Sequence, residues 1–182
     1  MDTCGLEQIK QALEASIPPG ASIGELTAYN DSNLTILYAR IPPKFESAIH
    51  NHTLFACMGQ LSGQEDGLLY KESKDGLKVI ATTELKPGQV QSLDVDAIHS
   101  ISNPLSTVSS AIHLYGGDYK NVTRDRSLWE STSKKKVDEK EFTFSFFLEE
   151  SCEMMKKNDN KEGLICIAEH IPAAKPYVDT RI

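Results

Sequence analysis

Apolar and polar positions alternate with a period close to two through the middle of this chain. Residues 34–40 are rich in β-branched and aromatic side chains and read as a strand, broken by Ile41-Pro42-Pro43-Lys44. Further strands are expected over 46–50, 53–61, 66–72, 77–83, 89–93, 98–101 and 107–115. Gly63, Asp75-Gly76, Pro87-Gly88 and Asn103-Pro104 supply the turns between them. Many short strands at such spacing predict a mainly β protein, a sandwich or barrel of the jelly-roll kind.

The pattern differs at both ends. Leu6, Ile9, Ala12 and Leu13 repeat at helical spacing, so a short amphipathic helix is expected over 6–16, packed outside a sheet and stopped by Pro18-Pro19-Gly20. After Tyr115-Gly116-Gly117-Asp118 the order changes again. Lys134-Lys135-Lys136 opens a charged connector that reads as a solvated face. Residues 142–146 alternate like one more strand, 148–157 fit a helix, and 164–168 form an apolar run. The expected organisation is a single domain over 1–182, with a core barrel at about 33–130 and a mixed C-terminal extension at about 131–182.

Composition narrows the functional classes. At 182 residues the chain is long enough to bury a sizeable core, and 40% hydrophobic with 25% charged residues is ordinary for a globular protein. A net charge of -7 argues against nucleic acid or a membrane surface as a partner. No apolar run approaches a membrane span, and Met1-Asp2-Thr3-Cys4 does not open a signal peptide. The four cysteines show no metal-ligand spacing, so a cytoplasmic protein with reduced thiols is expected.

The candidate chemistry lies in Ile49-His50-Asn51-His52-Thr53. Two histidines separated by one residue of an extended strand share a face, where both imidazoles can meet one metal ion. His99 is the third candidate ligand.

These residues resemble the two metal-binding motifs of the cupin superfamily. In the first motif His50, His52 and Gly63 fall in register, Ala56 stands at the glutamate position, and Lys44 replaces the opening glycine. In the second, Gly88, His99 and Asn103 fall in register, while Asp94 and Asp96 replace Pro and Gly. The resemblance implies a double-stranded β-helix barrel with His50, His52 and His99 as metal ligands. Three neutral imidazoles without the carboxylate leave the ion its full 2+ charge and open positions for substrate and O2. That donor set looks like the thiol dioxygenases, the cysteine dioxygenase and 3-mercaptopropionate dioxygenase group. Their cofactor is Fe(2+), and they oxidise a small thiol to a sulfinate.

His113 and Tyr115 match the histidine and tyrosine of that group's Ser-x-His-x-Tyr triad, with Ala111 in place of Ser. They are the candidate catalytic residues. Mammalian-type members crosslink a cysteine to the triad tyrosine; strand parity puts Ala56 rather than Cys57 in that slot. A substrate carboxylate calls for a guanidinium fork. Cysteine dioxygenases use an arginine a full strand before the His-x-His motif, and no arginine precedes Arg40 here. The resemblance to the 3-mercaptopropionate enzymes, which use one from the C-terminal side of the barrel, implies Arg124 or Arg126, with Trp129 as a pocket wall and Arg40 as an alternative. Glu65 and Asp66 read as hairpin-turn residues. The expected partners are a small thiol and O2, in a monomer or homodimer. Two competing readings are a metal-dependent lyase or isomerase and a non-catalytic metal or small-ligand binding cupin.

Overall fold

The computed structural model describes residues 8, 11, 15, 24–121, 126–131, 133–137 and 143–179. Its strands are β1 (Gly24–Asn30), β2 (Thr35–Ile41), β3 (Ile49–Asn51), β4 (Ala56–Ser62) and β5 (Glu65–Ser73), then β6 (Gly76–Leu85), β7 (Val90–Leu93), β8 (Ile98–Ser102), β9 (Ser109–Tyr115) and β10 (Leu128–Trp129). Helices α1 (Phe144–Lys157) and α2 (Lys161–His170), a 3-10 turn (Pro172–Ala174) and α3 (Lys175–Val178) follow.

The strands form two five-stranded antiparallel sheets, ordered β1-β2-β9-β4-β7 and β10-β3-β8-β5-β6. From β2 to β10 the chain passes back and forth between them, so the sheets wrap into a double-stranded β-helix barrel. Alternation sets the inner face. In β9, Ala111, His113 and Tyr115 are buried while Ile112 and Leu114 are half-buried. Leu37 and Met58 lie opposite His113 on the two flanking strands. One apolar cluster, Leu37, Ala56, Met58, Leu85, Leu93 and Tyr115, fills part of this interior. A second joins Ala39, Ile41 and Phe45 of the barrel to Leu148, Cys152, Met155, Leu164 and Ile167 of the helices. The C-terminal segment therefore packs as part of the core, not as a loose appendage.

The motif positions have backbone reasons. Gly63 and Gly88 take φ of 72° and 84°, the left-handed region that glycine enters without penalty. A Cβ on Gly63 would also lie 2.7 Å from the Cβ of Ser109. Lys44, at the missing opening glycine, keeps that conformation with φ 56°. The strain, on the order of 1 kcal/mol, is offset where its N–H donates to the Leu105 carbonyl at 3.0 Å and its Nζ to the Pro104 carbonyl at 2.7 Å. Asn103 is buried, with Nδ2 within 3.2 Å of the carbonyls of Ile41, Pro42 and Thr107. Its motif role is to tie two loops together.

Two expectations change, and a third falls largely outside the described residues. The barrel begins at β1, before residue 33; β1 is an edge strand with Thr27, Ala28 and Tyr29 exposed, so it lacks a strong apolar signature. The alternation expected to make a strand over 142–146 gives none at its described residues, 143–146. Thr143 caps α1 by accepting from the Phe146 N–H, and Leu148, Ser151, Cys152 and Met155 continue a buried helical stripe. The helix expected over 6–16 lies outside the described residues, save Gln8, Gln11 and Ala15, which are helical and exposed. Among the described residues no helix is long and apolar enough to cross a membrane.

Candidate metal centre

β3 and β8 pair so that His50 lies directly opposite His99. His52 follows β3 by one residue, just before Thr53 turns the chain with φ 55°. All three histidines are buried, and their ligating nitrogens lie within 4.8 Å of one another. Ring centroids are 4.8 Å apart for His50–His52, 4.5 Å for His50–His99 and 4.9 Å for His52–His99.

The hydrogen bonds of this cluster fit a cation. His50 Nδ1 lies 2.9 Å from the Ala48 carbonyl, which can only accept. The proton is thus on Nδ1, and the Nε2 lone pair faces the cluster. His99 Nε2 and His52 Nε2 are 2.9 Å apart, so one ring must hold a proton against the lone pair of the other. A cation accepting both lone pairs removes that requirement. His52 Nδ1 is buried with no hydrogen-bond partner. Burial foremost, then the neighbouring His50, pushes His52 and His99 well below the usual imidazole range. Both therefore stand neutral at pH 7, the form that binds metal.

The cluster opens into a cavity of about 580 Å³, the size of a small-molecule site. His113, Tyr115 and Glu65 line it beside the three histidines. Tyr115 is buried, with its ring centroid 4.9 Å from that of His52, and its hydroxyl is 3.4 Å from His113 Nδ1. Tyr119 stacks on Tyr115 at 4.2 Å, and the Arg126 guanidinium sits 4.6 Å over the Tyr119 ring. Arg126 and Arg40 both line the cavity. Arg124 lies outside the described residues.

The rest of the wall comes from the C-terminal segment: Phe144, Phe147, Leu148, Ile171 and Pro172. Phe147 meets His50 edge to face at 5.3 Å. The Ala48 N–H donates to Ser151 Oγ at 2.9 Å, fixing α1 to the approach of β3. On α2, a Cβ at Gly163 would collide with the Lys44 carbonyl, so only glycine permits this contact.

Trp129, Glu65 and Asp66 stand elsewhere than expected. Trp129 packs with Ile49, Tyr70, Leu77 and Met154, away from the cavity lining. Glu65 and Asp66 are not hairpin-turn residues but open β5; Glu65 is 3% exposed, within the cavity, and Asp66 is half-buried. Period-two counting back from Leu69, which packs among the interior residues, carries the signal for Glu65. Cys57 is half-buried opposite Leu114, whereas Ala56 faces Tyr115, as parity required.

No family model matches the sequence. Among solved structures the chain is similar to an uncharacterised conserved protein with a double-stranded β-helix domain from Klebsiella pneumoniae subsp. pneumoniae MGH 78578, at 15% identity and TM-score 0.45, over 63% of this chain and 90% of that one. It is similar to the DMSP lyase DddQ from Ruegeria pomeroyi DSS-3, at 13% identity and TM-score 0.45, over 56% of this chain and 50% of that one. It is also similar to an oxalate oxidase, at 12% identity and TM-score 0.46, over 58% and 55% of the two chains. At these identities no site residue is carried over from any of the three. The chain itself presents a double-stranded β-helix barrel with a buried three-histidine cluster suited to a metal ion.

Proposed function

We propose that the protein is an iron(II)-dependent thiol dioxygenase that adds both atoms of O2 to the sulfur of a small thiol, RSH + O2 giving RSO2H. The observation that carries this reading is the donor set: three buried imidazoles, with alanine at the position where a carboxylate ligand would stand. When bound, iron(II) supplies the redox chemistry that joins dioxygen to sulfur. His50, His52 and His99 hold it. The Tyr115 hydroxyl, kept in place by His113, holds a proton beside the cluster. Phe147 and its neighbours exclude water. Arg126, supported by Tyr119, offers a fork to a carboxylate at the cavity wall. The chain has no arginine before Arg40, where the cysteine dioxygenases it resembles hold their carboxylate, and this favours a 3-mercapto acid over free cysteine.

The test is oxygen uptake by the iron-loaded protein with 3-mercaptopropionate, cysteine and cysteamine, with the sulfinate identified by mass spectrometry. Arg126→Ala is expected to raise the KM for 3-mercaptopropionate about tenfold, roughly 1.4 kcal/mol, and to leave cysteamine little changed. No oxygen uptake with any thiol would overturn the reading. Faster turnover of cysteine than 3-mercaptopropionate, indifferent to Arg126→Ala, would overturn the substrate class.

A further inference from the structure

Neither the metal cluster nor the substrate reading uses Glu65. Its side chain is nearly inaccessible, and its Oε2 is buried with no hydrogen-bond partner. The His113 ring faces it, with Nε2 3.8 Å from Oε2. On the other side of that ring, Nδ1 is 3.4 Å from the Tyr115 hydroxyl. β9 places His113 and Tyr115 on one inward face, and the preceding inward residue, Ala111, brings only a methyl group. Three polar groups from two sheets therefore form a line: carboxylate, imidazole, phenol.

The chemistry of this line has a direction. A carboxylate only accepts, and a lone pair turned towards it in a dry site is repelled. A neutral His113 ring is then favoured with its hydrogen on Nε2, facing Glu65. That leaves the Nδ1 lone pair for the Tyr115 O–H. The opposite tautomer sets two lone pairs against each other at Nε2 and makes Nδ1 compete with the phenol as donor.

We propose that Glu65 is a positioning residue that fixes His113 as the Nε2–H tautomer, so that the Tyr115 hydroxyl donates to Nδ1 and turns its oxygen lone pairs to the metal cluster. What Tyr115 does there rests on the thiol dioxygenase reading; the tautomer does not. At 3.8 Å the Glu65–His113 contact is electrostatic rather than a hydrogen bond. It biases the ring without holding it rigidly.

The experiment is imidazole 15N NMR of the full chain, metal-free and with the site filled by diamagnetic Zn(II), the His113 signals being assigned by their loss in His113→Gln. The wild type is expected to show one His113 form, protonated at Nε2. Glu65→Leu is expected to show signals averaged over both tautomers, and Glu65→Gln, whose amide oxygen still accepts, to restore the single form. Metal content is expected to be unchanged in both variants. In oxygen uptake, Glu65→Leu is expected to lower kcat about tenfold with KM unchanged, and to have no further effect in a His113→Ala background. A wild-type His113 protonated at Nδ1 overturns the proposal, even where Glu65→Leu does not fold. So does an unaltered spectrum in Glu65→Leu, or metal loss in Glu65→Gln, which would make Glu65 a ligand. An Nε2–H form without any thiol oxidation supports the positioning role and overturns only the proposed activity.

Discussion

The sheet containing β3 and β8 and the sheet containing β4 and β9 meet the same cavity with different chemistry. The first brings His50 and His99 together as direct cross-strand partners, with His52 one residue beyond the strand end. The second contributes His113 and Tyr115, two residues apart on one strand, with Ala56 and Met58 beside them. Cross-strand pairing sets the distance between donors through the hydrogen-bonded ladder, so the first arrangement is rigid. Spacing along one strand sets a line of side chains instead, and suits groups that pass or hold a proton. The three candidate donors thus fall to one wall, and the His113–Tyr115 pair to the other.

Substitutions separate the two walls. The largest effect is expected for His99→Ala, which removes one of three protein donors and should reduce bound metal at least tenfold by mass spectrometry; a variant with wild-type iron content would show that β8 does not hold the ion. On the other wall, Tyr115→Phe should keep the metal and lower thiol turnover by about 10²-fold. Metal loss in that variant would erase the distinction between the walls, and unchanged turnover would reduce Tyr115 to packing. The smallest effect concerns how the first wall is braced. Ser151→Ala leaves the Ala48 N–H without its acceptor and should cost about 1–2 kcal/mol in denaturant unfolding, with metal content retained.

Much of the barrel was legible because its turns are chemically marked. Gly63, Gly76 and Gly88 all take positive φ where the strand period breaks. The shared face of Ala111, His113 and Tyr115 followed from strand parity alone. What stayed hidden depended on tertiary context. β1 gains its place by pairing with β2, since Thr27, Ala28 and Tyr29 face solvent. The short alternation ends in a helix from Phe144, because a cap at Thr143 and a long apolar stripe outweigh it. Glu65 looked like a turn residue because it follows Gly63 so closely; the parity that turns its carboxylate inward counts back from Leu69, whose place inside the barrel is set by tertiary packing. The helices as a cavity wall had no local signal at all, since their contacts with His50 and Phe45 span most of the chain.

The lining by Phe144, Ile171 and Pro172 has a consequence for how this architecture can change. The donors sit on the barrel, while much of the passage to them is built by a later stretch of sequence. Exchanging side chains in that stretch alters which molecules fit without moving the ladder that fixes His50 against His99. The donor cluster and the shape of the passage to it are thus free to vary as separate pieces of the sequence.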